Sequence, residues 1–146
     1  MTSIQEIIKC AENGQLENWV DSFLRGEGKN IPFADGLKKQ KRYWHGPVQF
    51  PLEKLSRCCG PEEEMKYKVS KEHWERKTDA MADYINAGAE FPPLIAEYKN
   101  ETFTISDGNH RFGTYEKMGL KKHWVIFWCS SEEEFEEMKR IINNEK

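Results

Sequence analysis

Long apolar runs are missing from this chain. The longest, Trp124 to Cys129, is far short of the roughly 20 residues that cross a bilayer. The opening residues, MTSIQEIIKC, carry acids and no extended apolar stretch, so they do not read as a secretory signal, and the cytoplasm is the expected location. An excess of positive charge is also missing. Lys plus Arg number 22 against 25 Asp plus Glu, a net charge of −3, which disfavours a broad nucleic-acid footprint. Cysteine is sparse: Cys10, Cys58, Cys59 and Cys129 show no C-x-x-C spacing. The adjacent Cys58 and Cys59 neither bridge each other easily nor form a zinc knuckle, so free thiols are expected. His45, His73 and His123 are scattered and match no metal-ligand spacing. Internal repeats and low-complexity segments are lacking too.

What is present is enough for one domain with a sizeable core in 146 residues. Ser3 and Glu6 form a capping box before Ile4, Ile7, Ile8 and Ala11, which share a helical face, and Gly14 ends that helix. Leu16, Trp19, Val20, Phe23 and Leu24 repeat the pattern up to Gly26. These stripes read as core; the other reading is a docking surface for a neighbouring protomer. Residues 26 to 47 show little periodicity and read as a loop. Within them Lys38-Lys39-Gln40-Lys41-Arg42-Tyr43-Trp44 reads as a solvated face with Trp44 beneath it, against the alternative of a strand- or phosphate-binding patch.

Trp74, Met81 and Ile85 give 70–87 a buried helical stripe. Leu94 to Tyr98 and Thr102 to Ser106 read as a hairpin around Lys99-Asn100-Glu101. Trp124 to Trp128 reads as a dense strand near the centre of a sheet. Ser130 and Glu133 are placed to cap a last helix with Phe135, Met138, Ile141 and Ile142 on one face.

The stretch with most chemistry is TFTISDGNHRFGTYEKMG, residues 102–119. Phe103 and Ile105 alternate with polar residues, as in a half-buried strand. Gly108 tolerates backbone angles that other residues resist, a helix can start near Asn109, and Gly119 can stop it. A helix start offers unpaired N–H groups and partial positive charge. With Arg111 in the first turn, an anion seat follows, and phosphate suits the arginine fork. The plainer reading is that Asp107 caps the helix and Arg111 pairs with a nearby acid. His110, at the helix start, is expected to be neutral at pH 7, either meeting a phosphate or a reacting hydroxyl, or packing to hold the turn.

Strand-D-G-N-H-R-helix resembles the signature of the ParB/sulfiredoxin-like superfamily, in particular the D-G-x-H-R form of the free serine kinases. Glu72 to Ala87 resembles the helix before the family's central strands, Phe91-Pro92-Pro93-Leu94-Ile95 its strand entry, and Val48 to Leu55 its opening strand and turn. The family-like core spans about 46–129, with an N-terminal helical extension over 1–45 and a C-terminal helix over 130–146.

The resemblance implies an α+β fold, a small mixed β-sheet with flanking helices. It implies a nucleotide tri- or diphosphate held by Gly108, Asn109, His110 and Arg111, with magnesium carried by the nucleotide and met by Asp107 directly or through water. Asp107, His110 and Glu63 would then be the catalytic residues. Glu63 follows Pro61 at the spacing of the kinases' catalytic glutamate, although Glu62 replaces the histidine between them.

Asn109 stands where sulfiredoxins carry their catalytic cysteine, so sulfiredoxin chemistry is not expected. A helix-turn-helix domain like that of the partition proteins is not expected after residue 129. Two functions follow. One is a nucleotide-dependent phosphotransferase or hydrolase acting on a small hydroxylated substrate. The other is a non-catalytic nucleotide-sensing or DNA-associated module.

Overall fold

The computed structural model describes residues 3–145. Two amphipathic helices open the chain, α1 (Ile4–Glu12) and α2 (Leu16–Arg25). Ser3 caps α1 by accepting from the Glu6 N–H at 3.3 Å, as the capping box dictates. The segment expected to be loop contains a third helix, α3 (Ile31–Leu37), and the start of strand β1 (Tyr43–Pro51). Asn30 caps α3 by accepting from the Phe33 N–H, and Pro32 sits in its first turn. Seven residues are too few for a periodic apolar stripe to announce a helix, but Asn-x-Pro is a start signal.

After a short 3-10 turn come three two-residue strands, β2 (Leu55–Ser56), β3 (Cys59–Gly60) and β4 (Tyr67–Lys68). Helix α4 (Lys71–Asn86) follows, and Gly88 turns the chain with a left-handed φ of 98°. Strands β5 (Leu94–Lys99) and β6 (Thr102–Asp107) form the expected hairpin. Its turn is tighter than expected: only Asn100 and Glu101 lie outside the strands, both at positive φ, the geometry that matches strand twist. Helix α5 (Asn109–Lys117), strand β7 (Lys122–Cys129) and helix α6 (Glu132–Asn144) complete the chain. The cap of α6 is Ser131 on Glu134, one residue later than expected. Ser130 instead accepts from Arg42 at 2.6 Å.

The main sheet has five strands in the order β1-β7-β5-β6-β2. β7 runs antiparallel to β1 and parallel to β5, and β2 runs parallel to β6, so the sheet is mixed and the class is α+β, as expected. β7 is an interior strand, next to the central β5.

Alternation along β5 and β7 divides the core in two. Leu94, Ala96, Tyr98, Val125, Phe127 and Cys129 face one side, where Phe112 and Tyr115 of α5 and Met138 and Ile142 of α6 pack. Ile95, Ile126 and Trp128 face the other, where Ile7, Val20, Leu24 and Leu37 of the first three helices pack. A sheet apolar on both faces needs cover on both, and the N-terminal helices supply the second.

The basic run 38–42 divides as well. Lys38 and Lys39 are exposed. Arg42 is turned inward, donating to the carbonyls of Gly36 and Leu37 and lying over the Trp128 ring at 5.0 Å.

Candidate functional site

The D-G-N-H-R stretch forms the expected strand, turn and helix. β6 ends on Asp107, Gly108 turns, and α5 begins at Asn109. Gly108 has φ 106° and ψ 24°. A Cβ there would lie 2.7 Å from Leu94 Cδ2 and 2.9 Å from Arg111 Nη2. Both conformation and space therefore require glycine. No side chain caps α5, which sets aside the plainer reading of Asp107 as its cap. The N–H groups of its first turn are left to an outside acceptor.

Asp107 is committed elsewhere. Its Oδ2 accepts from Arg111 Nη2 at 2.8 Å and its Oδ1 from Asn30 Nδ2 at 3.2 Å. Asn30 thus both caps α3 and ties it to the loop.

Arg111 follows the plainer of the two readings, pairing with the nearby acid Asp107. Its guanidinium does not stand open as a fork but is buried, with the residue 8% exposed. Nη1 donates to the carbonyls of Pro92 and Pro93 at 2.7 and 3.0 Å. Burial lowers its pKa from the ordinary value and the Asp107 carboxylate opposes that. Arg111 therefore fixes the loop to the strand entry at Pro92-Pro93.

Asn109 faces the other way. Its Oδ1 accepts from the N–H groups of Cys58 and Cys59 at 3.0 and 3.3 Å, and its Nδ2 donates to the Ile105 carbonyl. Asn109 thus braces the 58–60 segment. The cysteines there are unbridged, as expected, and the Cys58 thiol donates to the Ile105 carbonyl.

His110 packs against the Trp74 ring at 4.7 Å, with His73 edge-on at 6.0 Å. Its pKa is pushed down to about 4, first by burial and then by the charges of Lys77 and His73. Neutral imidazole at pH 7 was expected, but burial, not the helix dipole, is the main cause. Its Nε2 is buried with no hydrogen-bond partner among the described residues.

These residues line a cleft of about 490 Å³, together with Glu27, Gly28, Glu90, Phe91 and Pro92. The structure brings Asp107, Gly108, Asn109, His110 and Arg111 together here. Glu63 is not among the lining residues: its side chain is 92% exposed and pairs with Lys68. Glu62 is held by Arg57, which donates to both its carboxylate oxygens, and the neighbouring guanidinium lowers the Glu62 pKa. Arg57 also lies over Trp74 at 4.8 Å, so Trp74 links the glutamate turn to His110.

Sequence reasoning missed Asn30, Glu27 and Glu90 because each comes from an element far away in the chain. Among the described residues, no group of three or more His, Cys, Asp or Glu is arranged to hold a metal.

No family model matches this chain, and no curated protein does. Several solved structures are similar to it. One is a sulfiredoxin from Arabidopsis thaliana, 21% identical, TM-score 0.44, over 62% of this chain and 92% of that one. Another is a free serine kinase in complex with AMP, 18% identical, TM-score 0.42, over 55% of this chain and 30% of that one. A third is the C-terminally truncated chromosome-partitioning protein ParB from Caulobacter crescentus complexed with CTP-gamma-S, 18% identical, TM-score 0.43, over 70% and 54%. The chain spans less than a third of the kinase it matches. Among the described residues no helix is long and apolar enough to cross a membrane.

Proposed function

We propose that this protein binds a nucleotide, with its phosphates on the N–H groups of Asn109, His110 and Arg111 at the start of α5. One observation carries this: Gly108 holds a left-handed turn at an uncapped helix start that opens into the 490 Å³ cleft. The donors there are pre-aimed, and the helix dipole favours an anion. Arg111 contributes rigidity through Pro92 and Pro93. Neutral His110 packs the start of α5 against Trp74 and keeps the seat rigid. Asp107 is the carboxylate beside the seat, but it does not form a magnesium site of its own, since one carboxylate is too few. Magnesium fits as the nucleotide's own counter-ion, with Asp107 placed to accept from its water shell, where the ion would neutralise phosphate charge.

For catalysis, the reading is phosphoryl transfer to, or hydrolysis beside, a small hydroxylated substrate. Positioning and charge neutralisation supply most of that chemistry. Glu63 serves as general base only if the 61–66 turn closes over the cleft. Its exposure favours the second reading, a nucleotide-sensing module without turnover.

Calorimetric titration of nucleoside di- and triphosphates, with and without magnesium, tests the seat. Asn109→Asp keeps the acceptor for Cys58 and Cys59, gives up the long donation to the Ile105 carbonyl and adds a negative charge at the helix start, so its fold is checked by thermal melt alongside. It should weaken binding about tenfold, on the scale of 1–2 kcal/mol for a nearby like charge. Equal affinity of wild type and Asn109→Asp, or no binding by wild type, removes the proposal. Turnover of labelled nucleotide by wild type and Glu63→Gln then separates enzyme from sensor.

A further inference from the structure

A second cavity, of about 370 Å³, lies on the far side of the Pro92-Pro93 entry. It shares Glu90, Phe91 and Pro92 with the loop cleft but opens elsewhere, between α1, the end of α4 and the start of β7. Its walls are mostly apolar, with Ile4 and Ile7 from α1, Ile85 from α4, then Phe91, Pro93, Leu120 and Trp124, and Gln49 and His123 also line it. Tyr115 and Lys122 border it, with His123 stacked on the Tyr115 ring at 4.3 Å. The Tyr115 residue is 2% exposed, and its hydroxyl is buried with no hydrogen bond among the described residues. Burial pushes its pKa up to about 12, so the phenol remains a donor at any physiological pH. Lys122 at the mouth is exposed and makes no ion pair among the described residues.

A buried hydroxyl left unsatisfied is costly, and natural folds seldom keep one without a use. Apolar walls with a few convergent polar groups are the usual make-up of a small-molecule site, and the volume lies in the usual range. We infer that this cavity binds a small apolar acid: a hydrocarbon or aromatic body among the isoleucines, Phe91 and Trp124, with its carboxylate accepting from the Tyr115 hydroxyl and paired with Lys122. Glu90, on the segment shared with the loop cleft, repels a carboxylate, so the acid group is directed to the β7 side. The site is built partly by α1, which lies outside the family-like core.

The test uses the intact protein, with 4-phenylbutyrate as probe and 4-phenylbutan-1-ol as its uncharged counterpart, followed by two-dimensional amide NMR. Saturable shifts are expected at Ile7, Phe91, Leu120 and Lys122, with the alcohol binding more weakly. Lys122→Gln should lose about threefold in affinity for the acid, the scale of an exposed ion pair. Tyr115→Phe should lose about tenfold, the scale of a hydrogen bond to a charged group. The Tyr115→Phe protein should melt no lower than wild type, because the group removed has no partner to lose. A purely structural hydroxyl would instead lower the melting temperature. The inference is overturned by any of three results: no shifts at millimolar probe, shifts centred on Gly108 to Arg111 instead, or affinities unchanged in both variants.

Discussion

Asp107 at the end of β6 and Arg111 in the first turn of α5 meet carboxylate to guanidinium at 2.8 Å with both side chains largely buried. The same guanidinium spans the carbonyls of Pro92 and Pro93. Removing one partner of a buried pair strands the other. Arg111→Ala should therefore destabilise the fold by about 3–5 kcal/mol. Arg111→Lys should recover only part of this, since a single ammonium cannot reproduce the fork. Urea denaturation of the two variants checks both values. A loss under 1 kcal/mol for Arg111→Ala would mean that the guanidinium is free to meet ligand.

Gly108→Ala places a Cβ against Leu94 and Arg111 and forces an L-residue into φ 106°. A cost of about 1–3 kcal/mol is expected from backbone strain. Nucleotide affinity should fall in the same variant, because the helix start shifts. Thermal melts and calorimetric titration measure the two effects separately. An unchanged melt would contradict the left-handed turn.

Asn109→Ala leaves the N–H groups of Cys58 and Cys59 without an acceptor. Amide hydrogen exchange at these two residues should accelerate, with a stability loss of about 1–3 kcal/mol for unsatisfied donors. Exchange that stays slow at both would show that another group holds them.

His110 titrates at about 4 in the folded protein, below its ordinary 6.5. Between these values the unfolded chain binds the extra proton, so stability is full above pH 6.5 and is lost as pH falls toward 4. His123, also lowered by burial, acts in the same direction. Denaturation midpoints taken from pH 7.5 down to 5.5, above the range of ordinary carboxylates, should decline. His110→Gln should flatten that decline, and a slope unaltered by the substitution would place the titration elsewhere.

Glu62 and Glu63 should separate cleanly. Glu62→Gln loses a charge-assisted double hydrogen bond to Arg57 and should lower stability measurably. Glu63→Gln, at an exposed position, should stay within about 0.5 kcal/mol of wild type. Paired denaturation curves decide this. A larger loss for Glu63 than for Glu62 would reverse the assignment of the two acids.

Local chemistry carried much of this protein's structure in plain view. The capping box at Ser3, the stripes of α1 and α2, the alternation along β6, and Gly108 ahead of a helix each depend on residues a few positions apart, and each was legible. Helix α3 was not, because one short helix makes too little periodicity, and the cap of α6 slipped by one residue between adjacent serines.

The site itself was only half legible. The sequence determined that Asp107, Gly108, Asn109, His110 and Arg111 share one strand-to-helix turn, since covalent neighbours cannot be separated. Which way each side chain faces was decided by partners distant in the chain: Pro92 and Pro93 for Arg111, Asn30 for Asp107, Cys58 and Cys59 for Asn109, Trp74 for His110. Buried polar groups turn to whatever donor or acceptor the packed fold brings within about 3 Å, and that selection exists only once the sheet and its helices have closed together.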